Sequence, residues 1–170
     1  MIQFDTIAAK NNEIDFLLEN IGENKVVLEV GSFEGRTTIR LAEKNKVYAV
    51  DPFIDNYDQK DIASPIVSKV KEIFKKNIDG KNIIWYEETS QLAMSHFNDK
   101  LDAVFIDGEH SKKALEIDIK WMDFVKVNGI VAFHDDSDSW PEVRDFIKEN
   151  MKNHQFVGRV GSLSVFIKKF

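Results

Sequence analysis

The sequence predicts an α/β fold: a doubly wound, mostly parallel sheet, covered by helices on both faces and ending in an antiparallel hairpin strand. Three observations carry this expectation. Five short β-branched runs, at 26–30, 47–50, 83–86, 103–106 and 130–133, are almost continuously apolar, as strands buried on both faces must be. The gaps between them hold patterns of helical period at 37–44, 65–77, 91–97 and 112–125. Strand followed by helix, repeated, builds an open α/β sheet. The third observation is punctuation: the chain has only 8 Gly and 3 Pro, which fall between elements, and no repeat or Pro/Gly-rich linker divides it. Its 170 residues therefore read as one domain, 1–170, with 1–22 an accessory N-terminal helix and 23–170 the core.

Taken in order, Phe4, Ile7, Ile14, Phe16, Leu17, Leu18 and Ile21 form a helix-like apolar set that stops at Gly22. The five strands follow, with the four helical patterns between them. A sixth helix is expected over 142–151, just after Pro141. Runs at 156–160 and 163–167, separated by Gly161-Ser162, form the terminal hairpin and bring the sheet to seven strands. The longest irregular stretch, 53–64, is polar and aromatic with Tyr57, and is expected to close over the site together with the N-terminal helix.

Composition excludes several function classes. Lys and Arg total 23 against 29 Asp and Glu, a net charge of −6, which argues against nucleic acid as the main partner. With no Cys, disulfides, thiolate metal sites and Cys nucleophiles are absent. No apolar run approaches the roughly 20 residues of a membrane helix, and the N-terminus lacks the charged-then-apolar pattern of an export signal. The expected location is the cytoplasm, with no membrane partner.

In open α/β sheets, ligands lie beyond the carboxyl ends of the strands. The first strand runs into Glu29-Val30-Gly31-Ser32-Phe33-Glu34-Gly35, two glycines four apart in a turn that leads into a helix. An ordinary strand-to-helix turn would also use glycine. The dinucleotide pattern GxGxxG is not met, because Phe33 stands where its second glycine would be, so a nicotinamide dehydrogenase is disfavoured. The second strand ends at Asp51-Pro52, with Asp51 20 residues past Gly31, where a carboxylate can accept from both hydroxyls of a ribose. Alone, Asp before Pro reads as a turn; beside the glycine turn, the ribose role leads.

With these motifs the sequence resembles the class I S-adenosylmethionine-dependent methyltransferases, whose first motif is acidic-x-G-x-x-x-G and whose second strand ends in an acidic residue. Phe105-Ile106-Asp107-Gly108-Glu109-His110 and the segment Phe133-His134-Asp135-Asp136 resemble the small-molecule O-methyltransferase branch, macrocin-type and, more distantly, catechol-type. The resemblance covers most of the chain and implies a Rossmann-like fold. It implies that Glu29, Gly31, Ser32, Phe33 and Gly35 line the methionine part of the cofactor, with Asp107 nearby. Asp51 and Pro52 would serve the ribose, and Glu88, Thr89 and Ser90 would lie near the adenine. Phe33 departs from the Gly of many members.

Asp107 ends the fourth strand, and Asp135 and Asp136 follow the fifth, which the resemblance places beside the fourth, so it implies that three carboxylates converge at one edge of the cofactor. Such oxygen-rich sites suit hard ions such as Mg²⁺, and in the relatives the matching positions bind such a metal. A metal-free polar site, in which these side chains cap turns or bind substrate, is the competing reading. His110, three residues after Asp107, occupies the place of a base in catechol-type relatives and is the candidate catalytic base beside Asp107. His134 is assigned to orienting the metal ligands or touching substrate, and Tyr57 and Trp140 to the substrate mouth. Trp85 and Trp121 are expected in the core.

The implied activity is methyl transfer from S-adenosylmethionine to a hydroxyl of a small polar acceptor, with homodimer formation an expectation from the same resemblance. Two alternatives stand beside it. A cofactor-binding subunit without catalysis would have no need of Asp107, His110, Asp135 and Asp136. A nucleic-acid methyltransferase would show an Asn-Pro-Pro-Tyr type motif where this chain has Asp107-Gly108.

Overall fold

In a computed structural model the structure describes residues 9–54 and 67–170. Tyr57, Phe4, Ile7 and most of the 53–64 segment lie outside the described residues. The elements run α1 (Asn11–Ile21), β1 (Val26–Val30), α2 (Arg36–Ala42), β2 (Lys46–Val50), α3 (Val67–Ile78), β3 (Ile83–Tyr86), α4 (Ser90–His96) and β4 (Leu101–Ile106). They continue with α5 (Lys112–Asp118), a 3₁₀ helix (Ile119–Phe124), β5 (Val125–Phe133), α6 (Pro141–Asn150), β6 (Gln155–Val160) and β7 (Leu163–Ile167).

One seven-stranded sheet has the order β3-β2-β1-β4-β5-β7-β6. The first five strands are parallel; β7 is antiparallel to both β5 and β6. This is the expected Rossmann-like sheet, with the hairpin returning β7 beside β5. Among the described residues, no helix is long and apolar enough to cross a membrane.

Alternation along each strand explains the unbroken apolar runs. In β1, Val27 faces one layer with Leu17, Ile21 and Leu41, while Leu28 and Val30 face the other with Phe97, Trp121 and Phe146. Each such aliphatic side chain, taken out of water, contributes about 1.5–3 kcal/mol. A third, smaller cluster of Phe53, Val70 and Phe74, with Phe33 and Trp85 packed against it, lies under the glycine turn. Trp121 is fully buried, as expected of a core residue.

Two boundaries differ from the periodicity. The helical pattern at 112–125 divides into α5 and the 3₁₀ helix, whose tighter winding turns Trp121 and Met122 into the core. The fifth strand begins at Val125 rather than at 130, because a register shift opposite Leu101 and Ala103 carries Asn128 into the left-handed region (φ 65°). A Cβ on Gly129 would meet the Asp102 carbonyl oxygen at 2.7 Å, so the irregularity is built around a glycine.

Candidate active site

The backbone ladder runs one residue past each strand. Gly31 N–H donates to the Val50 carbonyl (2.9 Å), Asp51 N–H to Tyr86 (3.2 Å), Asp107 N–H to Val30 (2.9 Å) and His134 N–H to Ile106 (3.0 Å). Four strand ends are thus level, and their next residues, Gly31, Asp51, Asp107 and His134, are brought together. In front of them opens a cavity of about 870 Å³.

Gly31 sits at φ +82°, and a Cβ there would stand 2.1 Å from the carbonyl oxygen of Asp107. Only glycine lets β1 and β4 end this close together. Gly35 (φ +80°) gives way to Phe74 of α3, whose ring a Cβ would meet at 2.9 Å. Phe33 holds the left-handed conformation (φ 48°) without being glycine, and its N–H is tied down. Ser32 N–H and Phe33 N–H both donate to Oδ2 of Asp51, and Phe53 N–H donates to Oδ1, each at 2.9 Å. Asp51, 3 % exposed, therefore shapes the turn as well as lining the cavity.

Glu29, Gly31, Ser32, Phe33, Asp51, Pro52, Thr89, Ser90 and Asp107 all line the cavity. Gly35 supports the turn from behind. Glu88 does not line it; its carboxylate pairs with His96 at 2.7 Å. Glu29 is buried within β1 and accepts from the Thr38 hydroxyl. Burial, with the charges of Asp107 and Asp51 adding to it, pushes its carboxyl up to about 8. Asp118 of α5 also lines the cavity, and burial pushes it up to about 6 against a hydrogen bond from Ser90. Sequence reasoning missed Asp118. Its signal was a charge three residues after Leu115, on the buried stripe of the helix.

At the other end, His110 Nε2 lies 2.9 Å from Asp135 Oδ2, and its ring packs against Trp140 at 4.0 Å between centroids. All three line the cavity. Behind them is His134, 7 % exposed and set back from the cavity wall. Its Nδ1 is 3.1 Å from Asp107 Oδ1 and 3.1 Å from Asp135 Oδ2. Burial would lower the pKa of this imidazole, but the facing carboxylates raise it to about 11. His110 and His134 hold Asp135 well below the usual carboxylate range, against the effect of burial. Asp135 adopts φ 59°, a strained position for a non-glycine residue.

The expected carboxylate trio does not gather. Asp136 turns to the hairpin, where its Oδ2 accepts from the Ser164 hydroxyl and lies 3.9 Å from Arg159. His134 takes the third corner instead: Asp107, His134 and Asp135 each offer a ligand atom, all within 4.8 Å of one another. Two carboxylate oxygens and an imidazole nitrogen, with a further carboxylate behind the ring, fit a divalent ion. That further carboxylate is Glu13 of α1, which no local motif marked; it is 121 residues from His134.

Residues 28–135, more than half of the chain, match the family described as a methyltransferase domain. No curated protein matches the sequence. Among solved structures, an O-methyltransferase from Bacillus cereus in complex with SAH is similar over 96 % of this chain and 84 % of its own, at TM-score 0.66 and 16 % identity. The TDP-rhamnose 3'-O-methyltransferase of calicheamicin biosynthesis is similar over 92 % and 77 %, at 0.65 and 12 %. An rRNA methylase from Streptococcus thermophilus is similar over 100 % and 99 %, at 0.62 and 16 %. At these identities the likeness is one of fold.

Proposed function

The chain belongs to the methyltransferase-domain family, and from that premise we propose that it transfers a methyl group from S-adenosylmethionine to a hydroxyl of a small polar acceptor. The observation that carries this reading is the chemistry of the cavity. Its wall places Asp51, Asp107, Asp118 and Asp135 around one space, and the cofactor carries a sulfonium and an α-ammonium. An acidic wall offsets those charges; the two phosphates of a dinucleotide would meet repulsion. A net charge of −6 also disfavours nucleic acid as acceptor.

In this reading the turn at Gly31 and Glu29 hold the amino-acid end of the cofactor, Asp51 the ribose, and Thr89 and Ser90 the adenine. The acceptor enters beside Trp140 and His110. The acceptor oxygen attacks the methyl carbon in line as the carbon–sulfur bond breaks, and its proton passes to the His110 imidazole, which Asp135 orients. Asp107, His134 and Asp135 would hold a divalent ion such as Mg²⁺, which supplies Lewis acidity that favours the alkoxide. Residues 1–170 are taken as one catalytic domain.

The test is a calorimetric titration with S-adenosylmethionine and with NAD, then a screen of hydroxylated acceptors with and without Mg²⁺. Binding of the first ligand alone is expected, with turnover lost on chelation while cofactor affinity is retained. Preference for NAD, or no binding of either, would sink the assignment. Full turnover in the chelated enzyme would remove the ion and leave Asp107 and Asp135 as substrate-binding groups.

A further inference from the structure

Glu13 projects from the first turn of α1 and is 2 % exposed. A carboxylate so enclosed must be satisfied from every side. Its Oε2 accepts from Lys10 N–H at 2.6 Å, which closes the start of α1. Its Oε1 accepts from the Ser162 N–H at 2.7 Å and the Ser162 hydroxyl at 3.0 Å, in the turn between β6 and β7. That turn is shaped to admit it. Gly161 sits at φ +58°, and a Cβ there would come within 2.1 Å of Glu13 Oε1.

The direction of these bonds reaches the active site. An ionised carboxylate only accepts, so the Ser162 hydroxyl spends its one proton on Glu13. Toward His134 Nε2, 3.2 Å away, the same oxygen can then only accept, and Glu13 Oε2 itself faces that nitrogen at 3.5 Å. Both neighbours demand a proton on Nε2. In an imidazole the partner of one ring nitrogen sets the state and aim of the other. The other is Nδ1, placed between Asp107 and Asp135.

We propose that Glu13 is a positioning residue of the active site: through Ser162 it keeps a proton on His134 Nε2 and holds the ring with Nδ1 aimed between Asp107 and Asp135. The N-terminal helix thereby becomes part of the catalytic architecture. Lys10 and Ser162 account for the remaining bonds of Glu13, all of them made by donors to its two oxygens. The consequence for turnover rests on the methyl-transfer reading; the placement of the proton does not.

The experiment is ring ¹⁵N–¹H correlation spectroscopy on the ¹⁵N-labelled full chain, together with turnover on whichever acceptor the screen yields. In the wild type, His134 Nε2 is expected to carry a slowly exchanging proton. In Glu13→Gln, whose amide keeps the shape but replaces one acceptor by a donor, both His134 nitrogen resonances should move. Turnover should fall about tenfold or more, as for other groups that orient a site from behind, while the dissociation constant for S-adenosylmethionine is unchanged. Gly161→Ala, which pushes on Glu13 without touching His134, should move the same resonances. An unprotonated Nε2 in the wild type overturns the proposal. So do variants that lose thermal stability with His134 signals superimposed on the wild type, since Glu13 would then only anchor α1. The spectra need no acceptor, so they decide the matter even if no methyl transfer is found.

Discussion

At one end of the cavity Asp51 is held by three backbone N–H groups, from Ser32, Phe33 and Phe53; at the other, Asp135 is held by the imidazoles of His110 and His134. The first arrangement draws on chain no more than 19 residues away. The second gathers Asp107, His110, His134 and Asp135 with Glu13 from the start of the described chain. Backbone donors have no rotamers to lose and no charge state to change. Side-chain clusters have both. The backbone cradle of Asp51 is therefore preorganised under all conditions that keep the fold, whereas the Asp135 cluster answers to protonation and to any bound ion.

The largest effect is expected where the two ends touch. Gly31→Ala would set a Cβ against the Asp107 carbonyl oxygen at a positive φ, and strand ends β1 and β4 would have to part. A loss of about 3–5 kcal/mol is expected, in the range of severe backbone and overpacking lesions, read as a fall in the urea midpoint at constant slope. A loss below about 1 kcal/mol would mean that the two ends are not rigidly joined.

Next come paired substitutions that should separate the ends. Asp51→Ala strands three backbone donors, so stability should fall by about 1–3 kcal/mol and cofactor affinity more than tenfold. Asp135→Ala should leave the cofactor dissociation constant near the wild-type value and remove turnover. Calorimetry on both variants decides; equal losses of affinity would show that the cavity is one site without a division of labour.

The smallest effect is a pH dependence. Glu29, raised to about 8 by burial, is mostly protonated at neutral pH and becomes an anion as pH rises through about 8. Affinity for the cationic cofactor should therefore increase from pH 7 to 9 by up to about tenfold, one pKa unit being worth 1.36 kcal/mol. Glu29→Gln should flatten that rise. A wild-type affinity independent of pH over this window would show that Glu29 does not face the cofactor's charge.

The glycine-turn end was legible because its logic is local. Gly31 and Gly35 mark positions of positive φ, and Asp51 follows a strand of fixed length. The Asp135 end was legible only in part. His110, Asp135 and Trp140 were found from their places after strands, and the cavity gathers them. Asp136 and Glu88 carry the same local signature but point elsewhere, to Ser164 and to His96. Neighbouring residues after a strand face opposite ways, so adjacency cannot say which carboxylate enters the site.

By itself, then, the sequence determined the element types, the parallel sheet with its returning hairpin, and the level of each functional residue, because apolar periodicity and glycine punctuation act over a few residues at a time. Only the tertiary structure decided which charges share a space. Glu13 meets His134 and Ser162 because α1 packs against β5 and the β6–β7 hairpin, and Asp118 enters the cavity because α5 lays its buried stripe over the sheet. A buried charge is stable only where partners surround it, and those partners are supplied by packing between segments far apart in the chain, which no local pattern encodes.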